Sequence, residues 1–319
     1  MPAPLSAATA RPPARDGVDA SRVFMPADRF ATVGAFLVHQ FPYVGAAEWS
    51  RRLLQGEVLL ADGAPAAADS PANSGGWLFY YRTVGQEAAI PFTHEVLYRD
   101  ADLLVVDKPH FLPVIPSGGY LQETLLLRLK KSLDLPDLVP LHRLDRDTAG
   151  VLLFSLRQPT RNAYYGLFRN HLVHKTYEAI APYRNDLVWP LRRESCIGVG
   201  AHFMQQAEVD GPVNAITTIT PLQTRGALAR YQLEPLTGQR HQLRVHMLAL
   251  GLPIVHDGMY PVLTPEGSSD FAKPLQLLAR RLAFRDPLSG KARVFESQRQ
   301  LLPLAQLAGT ADAWPAAQV

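Results

Sequence analysis

A single cysteine in 319 residues, Cys196, excludes an internal disulfide and a four-cysteine zinc site, and it fits a reducing compartment. As a lone thiol it reads as a small apolar filler. No apolar run approaches the roughly 20 residues that span a bilayer. The Ala/Pro-rich start, Met1 to Arg22, has no continuous apolar core of the kind a secretory signal needs, so a cytoplasmic location is expected. There is no G-x-x-x-x-G-K-[ST] loop, and Gly198-Val199-Gly200 runs into Ala201-His202-Phe203 without the third glycine of a dinucleotide loop; no cofactor is indicated. No H-E-x-x-H is present. His241 and His246 lie five apart rather than four, and His171 and His174 have no acidic neighbour before Glu178, so no metal site is expected. Excess charge is missing too: 32 basic against 29 acidic side chains leave +3, which permits an anionic partner without requiring one.

What remains is a globular composition, 47% hydrophobic and 19% charged, long enough for a large domain plus a small one. Residues 1–21 lack periodicity and are expected to form a flexible arm, as are 308–319 within a C-terminal tail at 303–319. Residues 22–84 read as a small α+β module: helical patterning through Phe36, Leu37 and Phe41, a second helix ending at Gly56, an apolar strand, the Asp62-Gly63 turn, and Trp77 to Tyr81 as a further strand. Beyond a linker, residues 91–302 form the main domain. Glu95–Tyr98 and Leu103–Val106 pattern as a hairpin; strands are expected at Val151–Ser155, Thr176–Ala181, Ala215–Ile219, Ala229–Leu233, Leu277–Phe284 and Ala292–Phe295. Helices are expected at Glu123–Leu133 and Thr160–Arg169, the latter with Pro159 in its first turn. Many strands with few long helices between them predict an α+β fold with a mixed, largely antiparallel central sheet.

The densest feature is Leu141-His142-Arg143-Leu144-Asp145-Arg146-Asp147-Thr148-Ala149-Gly150. Its aspartate stands between two arginines on a turn that feeds a buried strand, the setting of a carboxylate kept ionised and aimed at something. A second cluster is Thr237-Gly238-Gln239-Arg240-His241-Gln242-Leu243-Arg244-Val245-His246, which opens a helix stopping at Gly251. Two arginines there oppose the helix macrodipole, and a local rule broken this way hints at a paired anion. The third is Val173-His174-Lys175-Thr176-Tyr177, which closes a stretch from Leu156 that holds Arg157, Arg161, Arg169 and Lys175 and no acidic residue.

Together these resemble the H-R-L-D-x-x-T-S-G, G-R-x-H-Q-L-R-x-H and V-x-K-x-Y motifs of the RluA-type pseudouridine synthases, with Asp107-Lys108-Pro109 standing for that family's structural first motif. Ala149 replaces the usual serine and Gln239 the first arginine. The resemblance implies a synthase-type sheet and a catalytic site of Asp145, Tyr177 and Arg244: Asp145 acts at the ribose as nucleophile or by opening a glycal route, Tyr177 stacks on the target uracil, and Arg244 pairs with Asp145. Residues expected at the RNA are Arg143, His142, Arg169, Lys175, Arg240 and His241, with Arg143 filling the space of a flipped-out nucleotide or holding a phosphate. Asp147 is expected to be solvated. The module at 22–84 resembles the alpha-L RNA-binding domain, although Gly75-Gly76 replaces its usual Gly-Asp and, between Arg29 and Thr83, four basic residues (Arg29, Arg51, Arg52, Arg82) are matched by four acidic (Glu48, Glu57, Asp62, Asp69).

The partner implied is RNA, ribosomal in preference to transfer, bound by a monomer without cofactor or metal and without a membrane. Two other readings stand beside this one. The first is a non-catalytic RNA-binding or assembly protein on the same fold. The second is a glycoside or nucleoside hydrolase using Asp145 with Asp147, which lacks a second carboxylate on a separate element.

Overall fold

Apolar residues spaced for short helices and for alternating strands sort into two units in the computed structural model, which describes residues 12–72, 74–264 and 270–307. The first comprises Met1–Glu87 with Pro116–Gln122, the second Ala88–Ile115 with Glu123–Val319.

In the first unit, β1 (Ser21–Met25), α1 (Val33–Gln40), α2 (Ala46–Leu54), β2 (Val58–Leu59) and β3 (Gly76–Tyr80) form an antiparallel sheet in the order β1-β3-β2 with two helices. Thr32 caps α1, its hydroxyl accepting from the Ala35 N–H at 3.2 Å. The buried side chains Phe36, Leu37, Trp49, Leu53 and Leu78 make the core. Two of the module's arginines are already paired: Arg51 and Arg52 both donate to Glu48. The expected arm reaches residue 21. Its first eleven residues lie outside the described ones, but residues 12–20 hold structure: the Tyr81 hydroxyl donates to the Pro13 carbonyl at 2.6 Å and the Arg15 guanidinium lies 3.8 Å over the Tyr81 ring.

The second unit contains β4 (Glu95–Arg99), β5 (Leu103–Lys108), α3 (Leu125–Leu133), β6 (Val139–Pro140), β7 (Ala149–Ser155), α4 (Gln158–Arg169), β8 (His174–Pro182), β9 (Leu191–Val199), β10 (Gln206–Val209), β11 (Ala215–Arg225), β12 (Leu228–Pro235), α5 (Gln242–Ala249), β13 (Leu277–Arg285), β14 (Ala292–Glu296) and α6 (Leu304–Leu307). The sheet runs β10-β9-β11-β12-β8-β13-β7-β5-β4, with β14 on β13 and β6 on β7. The β7–β13 pairing is parallel and the rest are antiparallel, the mixed α+β architecture expected.

Hydropathy alone did not point to β9 and β10. On the face that β9 and β10 turn toward His246, a charged pair, Arg193 with Glu208, takes positions where apolar residues would be expected, so no apolar alternation announces the strands. At the carboxyl end, Leu304 and Leu307 are buried among Ala149, Ile180, Leu228 and Leu278, so the first residues of the tail at 303–319 pack on the core. Residues 308–319 of that expected tail lie outside the described ones. Among the described residues no helix is long and apolar enough to cross a membrane.

Candidate active site

The turn carrying Asp145 links β6 to β7 and is closed by the Thr148 N–H on the Asp145 carbonyl at 3.2 Å. Immediately after it, Gly150 has φ +117° and packs so tightly on β13 that a Cβ there would sit 2.2 Å from the Ala279 carbonyl oxygen. Glycine at the end of the motif is therefore a condition of the β7–β13 contact that holds the turn in place. The start of the motif is clamped as well. Leu141 N–H donates to the Leu153 carbonyl at 2.8 Å, and Leu153 N–H returns to Nε2 of His142 at 3.1 Å.

Behind the turn lies Lys108, whose fully buried ammonium donates to the carbonyls of Pro109, Leu112 and Arg146 at 2.8–2.9 Å. Burial pushes its pKa down to about 7, against the raising influence of Asp147 and Asp145. Its geometry matches the structural part assigned to the Asp107-Lys108-Pro109 segment.

Opposite stands α5. His241 takes a left-handed conformation (φ +56°) just before the helix, and the buried Gln242 braces the preceding turn, its side-chain oxygen accepting from the Gln239 N–H and the Thr237 hydroxyl. This entry aims two side chains at Asp145. Nη1 of Arg244 lies 3.3 Å from one carboxylate oxygen, and Nε2 of His241 3.8 Å from the other. The His241 Nδ1 meets the Tyr260 hydroxyl at 2.9 Å. The same hydroxyl oxygen accepts from the Gln206 N–H at 2.7 Å, so Tyr260 ties His241 to the strand β10. Burial holds the His241 pKa down to about 4, despite the Asp145 charge, so the ring is neutral at neutral pH. Burial acts to raise the pKa of Asp145, but His241, Arg244 and Lys108 outweigh it and hold the carboxyl below its ordinary range. The side chain keeps 27% of its surface exposed, enough to be reached from outside.

Arg244 is shared. Its Nε and Nη2 form a bidentate pair with Asp257 at 2.8 and 2.6 Å, and Asp257 also accepts from the Met259 and Tyr260 N–H groups. Both side chains of this pair are closed to solvent. Asp257 was not singled out in the sequence: an Asp-Gly step reads as a turn, and nothing in the linear spacing ties it to an arginine thirteen residues earlier. Tyr177, on β8, packs against the core cluster containing Leu243 and Leu277 and lies within electrostatic reach of Asp145; burial first, and that charge second, push its phenol pKa up. It is thus poorly suited to take a proton at neutral pH and well suited to be a wall.

The other expected residues fare differently. His142, expected at the RNA, is instead engaged within the fold: its ring accepts the Leu153 N–H and stacks on Phe168 at 4.6 Å. Lys175 likewise turns to the Thr237 carbonyl, and burial lowers its pKa to about 8. Arg143, Arg169 and Arg240 are exposed, and Arg240 donates to the Met204 carbonyl at 2.9 Å. Asp147, expected to be solvated, is half-buried and paired with Arg146 at 2.9 Å. His241 and His246 diverge, His246 being buried between Thr217 and Ser195, and among the described residues no group of histidine, cysteine and carboxylate side chains comes together to hold a metal.

Burial lowers the pKa of His110, His142, His241 and His246 to between about 3 and about 4. Unfolding restores them to about 6.5, so the unfolded chain takes up protons that the folded one refuses. Stability is therefore full above pH 6.5 and is lost as pH falls through the window from about 6.5 to about 4. Urea midpoints should drop steadily from pH 7 to pH 4.5, and a flat profile would contradict neutral burial of these rings.

Residues 102–249 match the profile of the RNA pseudouridylate synthase family, a span that contains Asp145, Tyr177 and Arg244. An RNA pseudouridine synthase of Synechocystis is 33% identical over 66% of this chain and 73% of its own length. The tRNA pseudouridine synthase C of Vibrio cholerae is 33% identical over 64% and 90%, and the dual-specificity RNA pseudouridine synthase RluA of the same organism 31% identical over 61% and 78%. The solved structure of human RNA pseudouridylate synthase domain containing 1 shares the fold, with a TM-score of 0.53 over 72% of this chain and 99% of that one at 23% identity. An ionised carboxylate on a glycine-anchored turn, faced by an arginine from the second motif, thus sits in a chain that belongs to the RluA-type RNA pseudouridine synthases, isomerases that convert uridine to pseudouridine in RNA.

Proposed function

We propose that Asp145 is the catalytic carboxylate of this isomerase and that the target uridine reaches it by leaving its base stack. The observation that carries this reading is the Asp145 carboxylate held against Arg244 and His241 while a quarter of its surface stays accessible. The reaction breaks the bond from ribose C1′ to uracil N1, turns the base, and joins C1′ to C5; the C5 hydrogen leaves and N1 gains one. An ionised carboxylate on one face of the ribose serves either route, as nucleophile at C1′ or as the base that opens a glycal. The uracil must be retained between the two bond changes, which favours a walled pocket, and Tyr177 supplies an aromatic wall beside Asp145. A uridine within a helix or loop cannot offer its sugar to a recessed carboxylate, so flipping it out at a cost of a few kcal/mol is part of the proposal, with exposed Arg143 taking its place or holding a phosphate.

We assign the substrate to structured RNA, ribosomal in preference to transfer. A relative named for tRNA supports transfer RNA, one named for dual specificity supports more than one RNA class, and the amino-terminal module, read as a weakened alpha-L domain, favours ribosomal RNA. Mapping pseudouridines in total RNA from cells with and without this protein tests the assignment. Loss of one or a few sites in ribosomal RNA is expected; loss confined to transfer RNA would overturn the preference, and an unchanged map the function.

A further inference from the structure

The hairpin between β9 and β10 ends in a tip that its own backbone orders: Gly200 N–H donates to the Gln205 carbonyl at 3.0 Å and Gln205 N–H to the His202 carbonyl at 2.8 Å. Three further bonds moor it beside the candidate active site. Gln206 N–H donates to the Tyr260 hydroxyl, the Gln205 side-chain amide to the Met259 carbonyl, and Arg240 to the Met204 carbonyl. Tyr260 in turn meets His241, which faces Asp145, so one hydrogen-bonded pair of side chains separates the tip from the carboxylate.

On this tip Phe203 is 73% exposed, its ring centroid 4.6 Å from that of His202. A phenyl ring on an ordered loop, with an exposed guanidinium anchored to the next residue in the chain, combines the two features that grip single-stranded RNA: a face for stacking a base and a cation for a phosphate. The substrate is RNA, and the charge beside the ring suits it. We propose that Phe203 stacks on an unpaired base next to the target uridine while Arg240 holds the adjoining phosphate, making the hairpin tip a substrate-binding lip. This rests on the reading of Asp145 as the point where the target uridine docks.

The test uses total RNA labelled with tritium at uracil C5, prepared from cells lacking the protein, and the variants Phe203→Ala, Phe203→Tyr and Phe203→Leu. An exposed side chain of this kind changes folding stability little. For Phe203→Ala the apparent KM should rise about tenfold, with kcat within about twofold, in line with the loss of one stacked base. Phe203→Tyr should restore wild-type KM and Phe203→Leu should not. An unchanged KM in the alanine variant, equal rescue by leucine, or a loss confined to kcat would overturn the proposal, the first pointing to a protein partner at this lip. Filter retention of the same RNA keeps two failures apart. Wild-type chain that retains RNA yet releases no tritium refutes the isomerase reading of Asp145, while weaker retention by Phe203→Ala still upholds the lip.

Discussion

Replacing Asp145 by asparagine is expected to lower tritium release from uracil C5 by about 10⁴-fold or more, the scale seen when a reacting group is removed from a preorganised site. RNA retention should stay within a few-fold of wild type. The structure gives a reason to expect a folded variant. Arg244 keeps its bidentate partner Asp257 when the Asp145 charge is gone, so no buried cation is orphaned. The turn also keeps its shape, because it is held by backbone bonds at Thr148 and Leu141 and by the Gly150 contact with β13, none of which involves the carboxylate. A variant that is folded, binds RNA and still releases more than about a hundredth of the wild-type tritium would remove Asp145 from the reaction.

Arg244→Ala should be more damaging, because it acts on stability as well as rate. Asp257 is closed to solvent and, among the described residues, would be left with the Met259 and Tyr260 N–H groups as donors. Breaking a buried pair by removing one partner costs about 3–5 kcal/mol, a large share of the roughly 5–15 kcal/mol that holds a domain together. Urea unfolding should show that loss, and turnover should fall severely as Asp145 loses its charged neighbour. Asp257→Asn in the Arg244→Ala background separates the two effects: neutralising the orphan should recover much of the stability and none of the activity. Arg244→Lys should keep the charge but not the fork that grips Asp257 while touching Asp145, leaving an intermediate stability and a slow enzyme. Normal kinetics in Arg244→Ala would exclude the ion-pair role, and unchanged stability would exclude the dependence of Asp257 on it.

The parts of this site differ in how visible they were in the chain. Asp145, Arg244 and Tyr177 lie in short, dense motifs whose chemistry is local: a carboxylate on a turn before an apolar strand, arginines where a helix start disfavours them, and a tyrosine after a basic run. Most strands were legible because their inward positions are apolar and alternate. β9 and β10 were not, since cross-strand ion pairs such as Arg193–Glu208 occupy the positions that hydropathy reads. His142 misled for a related reason. A histidine beside an arginine in an RNA-associated motif invites a polar role, yet only the register of β7 shows that its nitrogen is needed by the Leu153 N–H.

Sequence alone determined the fold class, the motif that carries the Asp145 carboxylate and the lack of any familiar nucleotide or metal motif, because these follow from composition and from residues close together in the chain. Tertiary structure decided who holds whom. Asp257 became the main partner of Arg244, Tyr260 came to meet His241, Lys108 became a buried strut, and the hairpin that carries Phe203 came to be bonded to Tyr260. Each of these depends on side chains separated along the chain meeting at distances where hydrogen bonds and charge act, which the sheet order fixes and no local pattern encodes.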